Sequence, residues 1–303
     1  MKITIAIPTF NQAAFIEKAV ESALAQDYPQ LEVIVADDAS SDNTGDLLKK
    51  YAGDPRFRYR RNEENLGRTG NYKNILYQLA TGEWYINLDG DDYLNDPAFI
   101  SLAVKQIEKN NDHLVAVIAN SLVLDEKNNS SVLYSSNYTD EQLVSGRQFL
   151  QDVAAQRAQT THLSTLYNRQ KAMETGFYHL DILSSDFESI YRLALQGDIV
   201  YLKTTAGTWR KHGANAVEQK SVREMIKNLS LPASVDDYAK SLAVNLGNWK
   251  SLMLKNMIAA YLLEAKKNGR LIKTFISCFF ARPVATIKTI SRLGKVLKHI
   301  STT

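Results

Sequence analysis

From Lys2 to Leu88 the chain alternates between strand-like and helix-like segments four times, with only short polar joints between them. Lys2–Ile7 alternates and is rich in β-branched residues, and Pro8-Thr9-Phe10-Asn11 breaks it. Ala13–Ala25 then carries Phe15, Ile16, Ala19, Val20, Ala23 and Leu24 on one stripe, the spacing of a helix with a single buried face. Leu31–Ala36 is almost wholly apolar, which suits a strand covered on both sides. Asp37-Asp38-Ala39-Ser40-Ser41-Asp42 follows and ends in a good cap for a helix over Thr44–Tyr51. A third strand is expected over Arg56–Arg61 and a helix over Gly70–Ala80. The fourth strand, Glu83–Leu88, runs directly into Asp89-Gly90-Asp91-Asp92. This order predicts an α/β fold, a parallel sheet with helices on both faces.

Ligands of such sheets sit at the carboxyl ends of the strands. Three strands here end in chemically informative residues: Pro8-Thr9-Phe10-Asn11, Asp37-Asp38 and Asp89-Gly90-Asp91-Asp92. All three groups are therefore expected to face one crevice. Asp89, Asp91 and Asp92 crowd three carboxylates into four residues. Their repulsion is commonly relieved by a hard cation such as Mg²⁺ or Mn²⁺, which completes its shell with substrate phosphates. An acidic turn that simply precedes a helix capped by Asp96 is the plainer alternative. Asp38 likewise has two roles open to it, helix capping or acceptance of a pyrimidine N–H with Phe10 stacking on the base. The glycine pattern of a dinucleotide fold is missing after the first strand. So is the phosphate-cradling Gly-x-x-x-x-Gly-Lys-Ser/Thr loop, and Gly67-Arg68-Thr69-Gly70 is in the wrong place for either.

The remainder is less legible. A helix is expected from Pro97 to about Asn110 and a strand over Leu114–Leu124, with Asp125–Ser136 polar and turn-rich. At 303 residues the chain has room for one large or two modest domains. Its one cysteine, Cys278, excludes a disulfide framework and cysteine-based metal clusters. Apolar runs such as Met257 to Leu263 fall well short of the roughly 20 residues that span a bilayer. Lys2 with the strand behind it does not read as a secretory leader, so a cytoplasmic protein is expected.

The net charge of +3 conceals an asymmetry. Residues 1–230 hold 24 Lys and Arg against 30 Asp and Glu, whereas 231–303 hold 12 against 3. A boundary is expected near Leu231-Pro232-Ala233-Ser234, dividing a domain at 1–230 from a basic helical region at 231–303.

Ile5-Ala6-Ile7-Pro8-Thr9-Phe10-Asn11 followed by Val33-Ile34-Val35-Ala36-Asp37-Asp38-Ala39-Ser40-Ser41-Asp42-Asn43-Thr44 resembles the opening of a family 2 glycosyltransferase with the GT-A fold. Asn65-Leu66-Gly67-Arg68-Thr69-Gly70-Asn71-Tyr72-Lys73-Asn74 and Gly82-Glu83-Trp84-Tyr85-Ile86-Asn87-Leu88-Asp89-Gly90-Asp91-Asp92 continue the resemblance. It implies inverting, Mn²⁺- or Mg²⁺-dependent transfer of a sugar from a nucleotide-diphosphate donor, first of all a UDP-sugar, to a hydroxyl of a glycan or lipid-linked glycan acceptor. By position it implies that Pro8, Thr9 and Phe10 line the base and ribose and that Asp38 binds the base. Asp91 would ligate the metal, and Asp89 would contact ribose or the metal's water shell. Arg68 and Lys73 are candidates for the diphosphate. Gly176-Phe177-Tyr178 before Ser184-Ser185-Asp186-Phe187-Glu188 matches the segment carrying the catalytic base, which makes that base Asp186, with Ser185 in place of the usual Glu. As an alternative, Asp186 is only the cap of a helix over Phe187–Gln196. Trp209-Arg210-Lys211-His212-Gly213-Ala214-Asn215 resembles the segment that closes many such sites, with His212 on the metal or phosphate. A GT-A-like module that binds nucleotide-sugar or glycan without turnover is the rival reading.

Nine Lys or Arg and no acid lie between Lys266 and Lys298. Lys288, Arg292 and Lys295 share one helical face, Ile287, Ile290, Leu293 and Leu297 fall mostly elsewhere, and Pro283 should break the helix before them. An anionic membrane surface, a packed cap and a dimer contact are all open to this stretch, which would place the protein peripherally on the inner face of the cell membrane in the first case and make a homo-oligomer in the last. Nucleic acid is not expected, because aromatic interleaving and binding motifs are lacking.

Overall fold

The computed structural model of the chain describes residues 1–110, 113–136, 138, 141–213, 215, 220–267, 269 and 271–289. In chain order, β1 (Ile3–Thr9), α1 (Ile16–Leu24), β2 (Leu31–Asp37), α2 (Thr44–Leu48), β3 (Phe57–Arg61), α3 (Gly67–Asn74), β4 (Trp84–Asn87), β5 (Tyr93–Leu94) and α4 (Phe99–Asn110) come first. Next are β6 (Leu114–Asp125), β7 (Ser130–Tyr134), β8 (Gln142–Ser145), α5 (Gly146–Ala154), β9 (Thr165–Asn168), α6 (Arg169–Glu174), α7 (Ser185–Ala194) and β10 (Asp198–Lys211). Helices α8 (Val222–Asn228), α9 (Leu231–Ser241), α10 (Trp249–Lys267) and α11 (Leu271–Ala281) follow.

Every residue of β1 and β2 is buried, as their apolar character requires of strands covered on both sides. Side chains alternate between the faces. Ile3, Ile5, Ile7, Val33 and Val35 pack with Ile16 and Val20 of α1 and Phe99 and Ile100 of α4. Ala6, Ile34 and Ala36 face the opposite way, against Tyr72, Ile75, Leu76, Phe149 and Leu193. The sheet order is β3-β2-β1-β4-β9-β6-β10-β5, with β7 added beside β6 and β8 beside β10. β1 runs parallel to both β2 and β4. The chain thus leaves β1 on one side and returns on the other, which opens a crevice at the carboxyl ends of these strands. β9 is antiparallel to both β4 and β6, while β6 and β10 form a long parallel pair.

Several expected elements are displaced. The helix expected from Gly70 begins at Gly67 and ends in a π-helical turn, Ile75–Leu79. The helix expected to Tyr51 tightens into a 3₁₀ turn after Leu48. Asp125–Ser136 contains β7, which doubles back along Ser121–Asp125 as an edge strand. Its Val132 and Leu133 stay exposed, so no buried face marks it in the sequence.

At the expected boundary the charge changes sign but the core does not end. Leu231 opens α9 with Pro232 in its first turn. Leu231, Val235, Ala239, Leu246, Trp249 and Met253 join the core that contains Ala6 and Tyr85. Trp249 Nε1 donates to the Leu150 carbonyl at 2.8 Å. A smaller cluster of Met225, Leu229, Ile258, Tyr261, Leu262 and Cys278 ties α8, α10 and α11 together. The helix breaks at Arg282, and Pro283 opens a further helical stretch over 283–289, in a first turn where proline costs no hydrogen bond. Ile290, Arg292, Leu293, Lys295 and Leu297 lie outside the described residues. Among the described residues no helix is long and apolar enough to cross a membrane.

Candidate active site

The three strand ends do converge. A cavity of about 510 Å³ is lined by Pro8, Thr9, Phe10, Asp38, Arg68, Asp89, Asp91 and His212. It adjoins a second chamber of about 310 Å³ that contains Asp186, Tyr134, His162, Asn228 and Tyr261. Arg68, Tyr72, Asp89, Asp92 and Trp209 line both, so the two chambers share a wall.

The β1 and β2 ends are held together by short polar bonds. Asn11 adopts φ 51°, a conformation an asparagine tolerates better than most residues, and its Oδ1 accepts from Ser41 N at 2.8 Å. Thr9 is buried and Phe10 is half exposed at the mouth. Asp38 Oδ1 accepts from Asn62 Nδ2 and from Leu66 N, each at 2.8 Å. This fixes the carboxylate against the α3 side of the crevice. Asp37 serves the fold instead, accepting from Ser40 N at 2.8 Å and from Tyr59 Oη at 2.7 Å.

The acidic turn is built just as tightly. A Cβ on Gly90 would lie 2.5 Å from Gln12 Oε1 and 2.9 Å from Thr9 Oγ1, so a larger residue here would have to push both side chains aside. Asp89 Oδ1 accepts from Tyr72 Oη at 2.8 Å and Asn87 Nδ2 at 2.9 Å. Asp92 is buried and accepts from Arg210 N at 2.8 Å, which pins the end of β10 over the turn. Asp91 Oδ2 lies 3.0 Å from His212 Nε2 and 3.2 Å from Asn215 Nδ2. Burial, reinforced by Asp91, raises Asp89 above the usual carboxylate range, and burial with both neighbours raises Asp92 further. Negative charge in this turn is therefore under-compensated by the protein's own cations.

A divalent ion fits that donor set. Among the described residues no three His, Cys, Asp or Glu side chains converge to enclose an ion. Asp91 and His212 would thus supply one or two donors and leave the rest of the shell to phosphate oxygens, the usual arrangement for Mg²⁺ and its analogues at nucleotide sites.

Asp186 lies in the first turn of α7, one residue inside the helix, with Ser184 at the capping position. Its side chain meets the backbone N–H groups of Asp186 and Phe187 and also borders the second chamber. Burial raises its carboxyl above the usual range, opposed by the Arg68 guanidinium and by helix N–H groups. Arg68 Nη2 donates to the carbonyls of Ile182 and Leu183 at 2.7 and 2.9 Å, fastening α3 to the segment that leads into Asp186. Lys73 does not join the crevice. It is exposed and lines a separate shallow groove with Gly70, Asn74, Tyr77, Phe177 and His179.

Residues not singled out beforehand complete the site. Tyr72 holds Asp89, and Asn215 holds both Asp91 and the Arg210 carbonyl at 2.9 Å. Buried His162 meets Tyr178 Oη at 3.0 Å through Nε2. Tyr72 and Asn215 stand inside segments already matched to the family, whereas nothing local marks His162.

An α/β sheet with nucleotide-sized space at its switch point, an acidic strand-end turn and a facing carboxylate defines a GT-A class of protein. The chain belongs to glycosyl transferase family 2, whose sequence profile matches residues 4–173. It is 34% identical over 151 residues to the GalNAc(5)-diNAcBac-PP-undecaprenol beta-1,3-glucosyltransferase of Campylobacter jejuni, covering 49% of this chain and 47% of that protein. With the poly(ribitol-phosphate) beta-N-acetylglucosaminyltransferase TarS of Staphylococcus aureus it shares 32% identity over 117 residues, 38% of this chain and 20% of TarS. The matched regions therefore span half or less of these relatives. The crystal structure of S. aureus TarS 1-349 in complex with UDP superposes with a TM-score of 0.68 at 18% identity, covering 94% of this chain and 82% of that one. The mannosyltransferase PcManGT of Pyrobaculum calidifontis, in complex with GDP-Man and Mn²⁺, gives a TM-score of 0.55 at 18% identity, covering 98% of this chain and 87% of that one.

Proposed function

We propose that the protein is an inverting glycosyltransferase that moves a sugar from a UDP-sugar to a hydroxyl of a glycan or lipid-linked glycan in cell-surface polysaccharide synthesis. The observation that carries this reading is the placement of the Asp91–His212 pair and Asp186 in two adjoining chambers that share Arg68, Tyr72 and Asp89. Named relatives act as transferases of glucose and N-acetylglucosamine, and one acts on an undecaprenol-linked glycan, which supports the donor and acceptor classes.

In this scheme Pro8, Thr9 and Phe10 receive the base and ribose, and Asp38 accepts a base N–H. Asp89 holds ribose or a water, itself oriented by Tyr72 and Asn87. Arg68 supplies positive charge beside the diphosphate. A divalent cation held by Asp91 and His212, Mn²⁺ or Mg²⁺, would offset the charge gathering on the departing diphosphate. Asp186 takes the proton of the acceptor hydroxyl as its oxygen bonds to the anomeric carbon. The bond from that carbon to the diphosphate oxygen breaks on the opposite side, and the diphosphate keeps the electron pair. Displacement of this kind inverts the anomeric centre. A lipid-linked acceptor would draw the protein to the inner face of the cell membrane as a peripheral cytoplasmic enzyme.

The test is product stereochemistry. Transfer from an α-linked UDP-sugar, followed by ¹H NMR of the new linkage, should give a β-glycoside; an α-glycoside would contradict Asp186 as base in a single displacement.

A further inference from the structure

The outward side of α11 is apolar where a helix packed on one side ordinarily turns polar. Thr274 and Cys278, one turn apart, are buried, and the helix packs there on α8 and α10. On the opposite side Ile272 is 76% exposed, Ile276 46% and Phe280 80%, a stripe with a four-residue repeat. Beyond the break at Arg282, Val284 and Ile287 continue the exposure at 64% and 56%. Single exposed apolar residues need no explanation, but five of them on two successive helices form a patch that calls for a cover.

The charges around it select the cover. Lys266, Lys273, Arg282 and Lys288 are exposed. From Ala265 to Thr303 the chain holds nine Lys or Arg and no acid. The acid before that stretch, Glu264, is engaged by Lys220 at 2.7 Å. A second copy of the chain, placed by a two-fold axis, would bring these cations towards one another, and the 265–303 stretch supplies no acid to offset them. A lipid surface with anionic headgroups offers both an apolar layer and negative charge.

We infer that this face docks on an anionic lipid bilayer, with Ile272, Ile276, Phe280, Val284 and Ile287 entering the interface and Lys273, Arg282 and Lys288 meeting lipid phosphates. The docking helix α11 packs on α8 and α10, and Asn228 and Tyr261 of that pair line the chamber holding Asp186. Asn228, at the end of α8, donates through Nδ2 to Tyr261 Oη of α10 at 2.7 Å and accepts at Oδ1 from Ser184 N at 2.8 Å, two residues before Asp186. Docking would therefore hold the α8 and α10 side of the chamber near the bilayer that carries an anchored acceptor. This last consequence rests on the glycosyltransferase reading; the docking itself does not.

Co-sedimentation of the full chain with vesicles tests the docking without nucleotide or acceptor. Binding is expected to vesicles of phosphatidylcholine mixed with phosphatidylglycerol and to be weak with phosphatidylcholine alone. Ile276→Glu with Phe280→Glu, and separately Lys273→Gln with Arg282→Gln, should each weaken binding by about tenfold or more. All four side chains are solvent-facing or half so, and an unchanged circular dichroism spectrum and melting temperature confirm that each variant is folded. Unchanged binding of the Ile276→Glu/Phe280→Glu variant would overturn the proposal, as would equal binding to both vesicle types. A lipid-free dimer seen by light scattering and lost in that variant would overturn it too, assigning the face to a second copy. If vesicles bind while UDP-sugars are neither bound nor consumed, the docking stands and the transferase reading fails.

Discussion

His212 Nε2 lies 3.0 Å from Asp91 Oδ2 although 121 residues separate the two in the chain. β5 creates this meeting by pairing Tyr93 and Leu94 with Thr208 and Gly207 of β10, which brings the end of β10 over the acidic turn. Asn215 braces Asp91 from the same side, and the Phe15 ring lies 4.4 Å from the imidazole. His212→Ala should therefore lower Mn²⁺-dependent UDP affinity roughly 10- to 100-fold in titration calorimetry. Equal affinity of variant and wild type in Mn²⁺ would remove His212 from the metal's surroundings.

In the proposed mechanism Asp91 serves donor binding and Asp186 serves chemistry. Asp186→Asn should lower kcat roughly 10²- to 10⁴-fold, the usual worth of a general base, and leave the donor Kd unchanged. Asp91→Asn should lose both turnover and tight donor binding. A matched loss of donor affinity in the two variants would break this division.

The pH profile follows from the burial of Asp186. A base must be ionised to act, and burial raises this carboxyl above its ordinary value of 3.8. kcat/KM should accordingly fall on the acid side at a pH above 3.8. Arg68 opposes that rise, so Arg68→Gln should move the acid limb to higher pH as well as weaken donor binding. A limb that stays in place in Arg68→Gln would show that the guanidinium does not sense Asp186.

His162 ties stability to pH. Burial pushes its imidazole down from 6.5 to about 4. The unfolded chain takes up this proton near pH 6.5, whereas the folded protein resists until about pH 4. Stability from this group is thus full above pH 6.5 and declines by about 1.4 kcal/mol per pH unit as pH falls, levelling off below about 4. Between pH 7 and pH 5 the wild type should lose about 2 kcal/mol more than His162→Gln in urea unfolding. Parallel losses in both proteins would mean that His162 is not held neutral.

What the sequence makes legible is what repeats along it. β1, β2 and β4 are marked by apolar runs that end in Pro8-Thr9-Phe10, Asp37-Asp38 and Asp89-Gly90-Asp91-Asp92, and a parallel sheet brings those ends together. Lys73 is misplaced by the same logic that places Arg68. Arg68 and Tyr72 are one turn apart and share the crevice side of α3, while Lys73 sits roughly 140° round the helix from Arg68 and faces outward. β7 is hidden because an edge strand with exposed Val132 and Leu133 has no buried face to betray it. The apolar outward side of α11 is hidden for the converse reason, since its composition does not say which side Thr274 and Cys278 will bury. Long-range partners such as His212 with Asp91 need the fold before they can be seen.

The central claim is that this crevice activates a nucleotide-sugar through Asp91. Release of nucleoside diphosphate from a panel of UDP-, GDP- and dTDP-sugars, with Mn²⁺ or with EDTA and beside Asp91→Asn, tests it most directly. The account predicts release from one UDP-sugar that requires Mn²⁺ and vanishes in the variant. Release that persists in EDTA or in Asp91→Asn, or a protein that binds none of these nucleotides with Mn²⁺ present, would contradict it.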